Sequence, residues 1–226
     1  MRSFWSDPYL SIHAAGLALL PISLEVCVLA MAAGEPQLPW LEFLLIATAG
    51  IGPVLWMQWF RPFYIFSVLF IALRPEVLTL DQRRVLTRMK APNHRGWVVL
   101  VAIALGMGLW PLYRSAAIAA DLTPLPPAWR ILGVFIAGLA FLGSNLFLQV
   151  PVAVLRVLLL KDTEFTATPP YALEQIAQDF TIPGWGVNQI VPPWTTGVNV
   201  PAGIFSAAES QPQPSVSELP SAQEPD

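Results

Sequence analysis

Residues 96–113 and 131–155 of this chain contain no charged side chain. Each run is long enough to cross a hydrocarbon layer of roughly 30 Å, which takes about 20 apolar residues in a helix. A helix satisfies its own backbone there, so such segments favour lipid over water. Two further apolar runs, 9–33 and 38–59, precede them. Only 12% of the residues are charged, against roughly 25% in a soluble domain. A polytopic membrane protein with four spanning helices is expected. The first run also bears on a leader peptide, because Ala30-Met31-Ala32 has the small-residue spacing of a cleavage site. Pro21 and Glu25 interrupt its apolar part and Asp7 offsets Arg2, which suits a span better.

The basic residues give an orientation. Arg74, Arg83, Arg84, Arg88, Lys90 and Arg95 lie between the second and third spans, and Arg2, Arg61, Arg156 and Lys161 fall on the same side. The opposite connections, 33–39 and 121–127, carry Glu35 and Asp121 and no base. The positive-inside rule places both termini and the 74–95 loop in the cytoplasm. Trp5, Trp56, Trp59 and Trp97 fall near that boundary, and Trp40 and Trp129 near the other, the two depths that indoles favour.

Two apolar segments are too short to cross alone. Residues 62–73 and 151–160 read as interfacial segments or as extensions of the preceding helices past a proline. The two halves of the chain also echo each other. Gly16, Leu19, Pro21 and Ala30 match Gly106, Leu109, Pro111 and Ala120 at constant offset, and Ala49-Gly50 matches Ala137-Gly138. Gln58 before Pro62 loosely answers Gln149 before Pro151. Two tandem hairpins related as parallel repeats would give this pattern, and chance similarity between apolar segments would too.

Ionisable groups inside a bilayer are expensive and usually find partners. Glu25 and Arg114 fall at similar depths on the first and third spans, and Glu42 and Arg130 begin the second and fourth. A Glu25–Arg114 pair is expected, and a Glu42–Arg130 pair at the outer, non-cytoplasmic rim. Either is read as a register clamp or as part of an ion relay. Thr48/Gly52, Ala102/Gly106, Ala104/Gly108 and Ala140/Ser144 have the small-xxx-small spacing of close helix packing. Ser144, Asn145 and Gln149 offer interhelical hydrogen bonds.

No cofactor or metal is expected. Cys27 is the only cysteine, which excludes an intrachain disulfide or a thiolate cluster. His13 and His94 are the only histidines, and a lone axial histidine is a weak signal for haem or pigment. No HExxH, GxSxG or paired acids on one helix point to an enzyme.

The 74–95 loop reads as an amphipathic helix with Asp81 early and bases late, as the helix dipole favours. Arg83, Arg84, Arg88 and Lys90 are candidates for contact with anionic lipid. Nucleic acid is the poorer partner, because no aromatics interleave the bases. After Lys161 the chain has acids and no Lys or Arg. Residues 171–180 suggest a short helix with Leu173, Ile176 and Phe180 on one side. Residues 206–226 are low-complexity and expected to be disordered. The division is therefore a membrane unit over 1–161, a partly ordered acidic segment over 162–205, and a tail over 206–226.

The opening MRSFWSDPYLSIHAAGLALLPISLE, the segment PVLWMQWFRPFYIFSVLFIALRPE and the acidic low-complexity end resemble the cyanobacterial low-complexity-tail membrane proteins. The resemblance covers residues 1–161, with the tail alike only in character. It implies a multi-pass protein in the thylakoid or plasma membrane of a cyanobacterium, and supplies no mechanism. Two functions stay open. One is a non-catalytic scaffold, accessory or assembly factor that joins a larger membrane complex. The other is a small carrier or channel built from duplicated hairpins, for which Glu25, Arg114, Ser144, Asn145 and Gln149 are the available polar groups.

Overall fold

The structure is a computed structural model that describes residues 7–190. The expectations for Arg2, Trp5 and the 206–226 tail, and that for part of the 162–205 segment, lie outside the described residues. Four helices are long and apolar enough to span a membrane: Pro8–Met31, Pro39–Phe60, Asn93–Ala119 and Pro127–Leu158. In the first, α1 (Pro8–Ala15) passes through a 3-10 turn at Gly16–Ala18 into α2 (Leu19–Met31). The second is α3 (Pro39–Phe60). After α4 (Leu80–Met89), the third and fourth are built on α5 (Asn93–Ser115) and α6 (Arg130–Leu158).

Local chemistry sets the ends. Asp7 caps α1, accepting from the Tyr9 N–H at 2.9 Å, with Pro8 at the first helical position. Proline is tolerated there because that N–H has no helical acceptor. Pro21, Pro53, Pro111 and Pro151 sit inside the four spans. An interior proline frees carbonyls of the preceding turn, which a neighbouring helix must satisfy in a bilayer. Asn145 does this for α3, with Nδ2 3.0 Å from the Gly50 carbonyl, three residues before Pro53.

α6 is the centre of the bundle and packs on both α2 and α3, while α5 packs mainly on α3. α2 and α5 touch only marginally. Exchanging α2 with α5 and α3 with α6 carries the α2–α6 contact into the α5–α3 contact, as a duplicated pair of helices would, although α5 also touches α6 where α2 and α3 barely meet. The echoed Ala49-Gly50 and Ala137-Gly138 meet where α3 crosses α6. A Cβ on Gly138 would lie 3.5 Å from Ala49 Cβ, and one on Gly50 would run into the Phe141 ring. On the α2 side, a Cβ on Gly133 would lie 2.5 Å from the Ala30 carbonyl oxygen. The expected small-residue pairs are only partly at contacts. Gly106 faces Ile51, but Gly52 and Gly108 face open space, because the helical phase turns them outward.

The chain builds a second apolar body at one end of the bundle, called the head below. Residues 62–73 correct the expectation of an interfacial or extended helix. They form a hairpin, β1 (Ser67–Val68) antiparallel to β2 (Ile71–Leu73), and β3 (Trp185–Val187) adds in parallel to β2. Tyr64, Ile65 and Phe66 are fully buried. Residues 64–66 are apolar on both sides because they lie inside the head's core, a pattern that hydropathy alone assigns to membrane, while Leu69 and Phe70 at the hairpin tip are exposed. Leu69 turns the hairpin with φ 54, and Gly184, at φ +69, passes so close to the Phe70 carbonyl that no side chain fits. Residues 151–158, by contrast, continue α6.

The core of the head draws on Tyr9 and Leu10 of α1, on Val85, Leu86 and Met89 of α4, and on Val154 and Val157 of α6. Phe165 of α7 (Asp162–Thr166), Ile176 of α8 (Leu173–Asp179) and Phe180 close it. The division expected at Lys161 therefore does not separate two bodies, since the described residues 7–190 belong to one compact unit.

Candidate functional site

Among the described residues there are two apolar cores, and a polar layer separates them. The bundle core contains Cys27, Ile46, Leu105, Leu109, Ala137 and Phe141. The next turns of α6 bring Ser144, Asn145 and Gln149, all buried, before Val150 enters the head's core. Ser144 Oγ lies 2.9 Å from Ser23 Oγ on α2. Gln149 Nε2 donates to Asn145 Oδ1 at 2.9 Å. Gln58 near the end of α3 and His94 at the start of α5 complete the layer, at 0% and 4% exposed.

Hydrogen bonding in this layer is incomplete. Both amide atoms of Gln58, both ring nitrogens of His94 and Oε1 of Gln149 have no partner. The imidazole faces the Gln58 backbone without reaching hydrogen-bond geometry. An unmet buried polar group costs about 1–3 kcal/mol, so a concentration of them calls for partners, whether ordered water or a ligand. A void of about 10 Å³ between His94 and Gln149 has room for one water. On the other side of His94, a cavity of about 220 Å³ is bordered by Gln58, Trp59, Lys90 and Arg95. In the sequence these residues stand apart; the Gln58–Gln149 echo is the available signal, and each glutamine lines a cavity with His94.

The far rim, opposite the head, carries a closed ionic clamp. Arg130 Nε lies 2.9 Å from Glu42 Oε2, and its Nη2 is also bonded there. Nη1 donates to the carbonyls of Met31, Ala33 and Gly34. Tyr113 donates to Glu42 at 3.3 Å. Arg130 and Glu42 are each only 13% exposed. Glu42 also lies in the first turn of α3, where the helix dipole favours a negative charge. Trp40 stacks on Trp110 at 4.9 Å and Phe43 meets both Trp110 and Tyr113. This rim joins α2, α3, α5 and α6. A cavity of about 690 Å³ opens beside it, with Glu35 and Asp121 among its lining.

The other expected pair does not form. Glu25 and Arg114 are both exposed, and no ion pair joins them. The helical phase turns Glu25 outward with Ile22 and Val26, at 57% and 43% exposed. Arg114 lies in the last turn of α5, where the dipole suits it and a long stem can reach the interface.

The bases assigned to lipid are also corrected. α4 has its expected apolar face and a full capping box between Thr79 and Gln82. Its basic side chains hold the acidic segment rather than presenting a free surface. Arg83 Nε donates to the Tyr171 carbonyl at 2.6 Å, and Arg88 bonds Thr168 Oγ1 and the Glu164 carbonyl, both at 2.7 Å. Arg84 pairs with Asp81 on its own helix, and Lys90 with Asp179 at 2.5 Å. Arg61 donates to the Ala177 and Phe180 carbonyls at the end of α8. Hydrogen bonds from Lys90, then Tyr171, hold the Asp179 carboxyl below its usual range. Burial first, and the bond to Asp179 second, push the Tyr171 phenol up.

Among the described residues, no group of three or more His, Cys, Asp or Glu could hold a metal ion. His13 is engaged, with Nδ1 2.8 Å from the Tyr9 carbonyl and its ring against Phe63. The Cys27 side chain is buried in the bundle core.

Comparison with known proteins gives a lineage. The chain belongs to the low-complexity tail membrane protein-like family, whose model matches residues 6–192. No curated protein and no solved structure matches it.

Proposed function

We propose that this chain is a non-catalytic integral membrane scaffold, an accessory or assembly subunit that associates with a larger membrane complex. The observation that carries the reading is Glu25, an exposed carboxylate on the outward face of α2. It lies six residues before the helix end, or roughly 9 Å along the axis. Facing lipid, a carboxylate at that depth is unfavourable, and intramembrane charges are almost always covered by a partner. A neighbouring helix that supplies a base or a hydrogen-bond donor would cover it.

The interior supports the same reading. Permeation needs a polar path. Between the Arg130–Glu42 rim and the polar layer lie Cys27, Ile46, Leu109, Ala137 and Phe141, all fully buried and apolar. The carrier reading keeps one supporting feature, the cavity beside Glu35 and Asp121, which could serve as a vestibule for a cation.

In this reading the head faces the cytoplasm, because Arg61, Arg74 and the α4 bases are on its side. The exposed hairpin tip, with Leu69 at 80%, Phe70 at 68% and Trp185 at 77%, gives soluble or interfacial partners an apolar contact. The acidic end of the sequence suits basic ones. The resemblance noted in the sequence makes the host membrane the thylakoid or plasma membrane of a cyanobacterium. The test is native electrophoresis after mild solubilisation of the host membrane. Co-migration with a large complex supports the scaffold; a small species alone contradicts it.

A further inference from the structure

We infer that the cavity between the end of α3 and the start of α5 is a binding site for a tetrahedral oxyanion of the phosphate or sulfate class. It is independent of the scaffold reading.

Three kinds of donor converge there. The first is a helix N-terminus. α5 is 23 residues long and begins at Asn93, with Pro92 in the cap position and no side-chain cap. The His94 N–H is donated to the Ala91 carbonyl at 2.8 Å, which leaves the Asn93 and Arg95 N–H groups and the positive end of the dipole to favour an anion. The second is the pair of buried side chains without partners. Gln58 and His94 border the cavity, at 0% and 4% exposed, with every polar side-chain atom unmatched. An amide N–H₂ and an imidazole N–H are donors that an oxyanion satisfies, and the deep position makes each bond stronger than it would be in water.

The third is fixed positive charge. Arg95 borders the cavity from its exposed side, stacked on Trp59 at 5.3 Å, and pairs with no carboxylate. Lys90 also lines it, although Asp179 engages its ammonium. Arg156 stands nearby, bonded to Asn93 Oδ1 and stacked on Trp97 at 5.5 Å. No carboxylate lines the cavity. Its volume of about 220 Å³ is several times the roughly 30 Å³ share of one water, enough for a small oxyanion with water.

This distribution of charge also replaces the expected lipid contact. The α4 bases are occupied by carbonyls and carboxylates, whereas Arg95 and Arg156 keep their charges uncompensated at the level of Trp59 and Trp97. The oxyanion can be carried by an anionic lipid head group, whose chains lie beside α3 and α5, or be free in solution.

The experiment uses the full chain in neutral detergent and reads intrinsic tryptophan fluorescence and thermal unfolding. One arm adds inorganic phosphate against chloride at equal ionic strength. The other compares nanodiscs of phosphatidylcholine alone with nanodiscs containing phosphatidylglycerol. Arg95→Gln and Gln58→Leu are the variants. Arg95 is exposed, and leucine replaces an unpaired amide by an apolar group of similar size, so both keep the fold. A saturable response in the wild type, weakened roughly tenfold or more in either variant, supports the site. A response to phosphate assigns a free anion, and a response confined to phosphatidylglycerol assigns a lipid. No response in either arm, or an equal response in both variants, overturns the inference.

Discussion

Glu42 and Glu25 are carboxylates on neighbouring spans, and the structure treats them oppositely. Glu42 enters α3 at the far rim, where Arg130 and Tyr113 close on it. Glu25 is exposed on α2, with the exposed Ile22 and Val26 beside it. The first acid is part of how the bundle holds itself together. The second has no ion pair within the bundle, and the proposed scaffold reading gives it a partner outside. Glu42 lies in the first turn of α3 and Glu25 six residues inside the end of α2, and helical phase turns the first toward Arg130 and the second outward.

The strongest way to break the comparison is Arg130→Ala. It leaves the part-buried Glu42 without its cation and removes the donor to the Met31, Ala33 and Gly34 carbonyls. Breaking a fully buried pair by removing one partner costs about 3–5 kcal/mol, and this part-buried one should fall toward the lower end of that range, to be read from thermal unfolding in detergent. Exchanging the charges, Glu42→Arg with Arg130→Glu, should restore only part of it, because a glutamate cannot donate to Met31, Ala33 and Gly34. Full rescue would show that the ion pair alone matters.

Gly133→Ala comes next. A Cβ there would lie 2.5 Å from the Ala30 carbonyl, a backbone atom that cannot step aside, so α2 must move from α6. Overpacking of this kind costs about 1–3 kcal/mol. The same change at Gly52 or Gly108, which face open space, should leave unfolding unchanged. Asn145→Leu removes the donor to the Gly50 carbonyl and should cost about 0.6–2 kcal/mol, the range for interhelical hydrogen bonds, by the same measurement.

A smaller effect belongs to the head. Asp179 has a depressed folded pKa, so its contribution is present above the unfolded value of about 3.9 and fades as pH falls through the lower folded one. Its contact with Lys90 is about one-third exposed on each side, so the effect stays within about 1 kcal/mol. Limited proteolysis of the 162–190 segment should rise below about pH 4, and Asp179→Asn should show the raised rate already at neutral pH.

The sequence reveals what depends on local pattern. Four apolar runs give the spans, Thr79 and Gln82 give the start of α4, and the charges beginning α3 and α6 give the rim pair. It hides what depends on partners distant along the chain. Residues 62–73 look like membrane because both faces are apolar, and only the head's core distinguishes them. Arg83 and Arg88 look free because their acceptors are mostly backbone carbonyls, which no composition records. Gln58, His94 and Gln149 are unremarkable one at a time. Glu25 was expected to face the interior, and a small error in helical phase reverses which side a residue meets.

The most direct test of the central claim is Glu25→Leu, read twice. In the isolated protein it should leave thermal unfolding unchanged or slightly raised, because no partner within the chain is lost. In mildly solubilised host membranes it should shift the protein on a native gel from a large complex to a small species. An unaltered complex, or a destabilised isolated protein, would contradict the assignment of the α2 face to a partner.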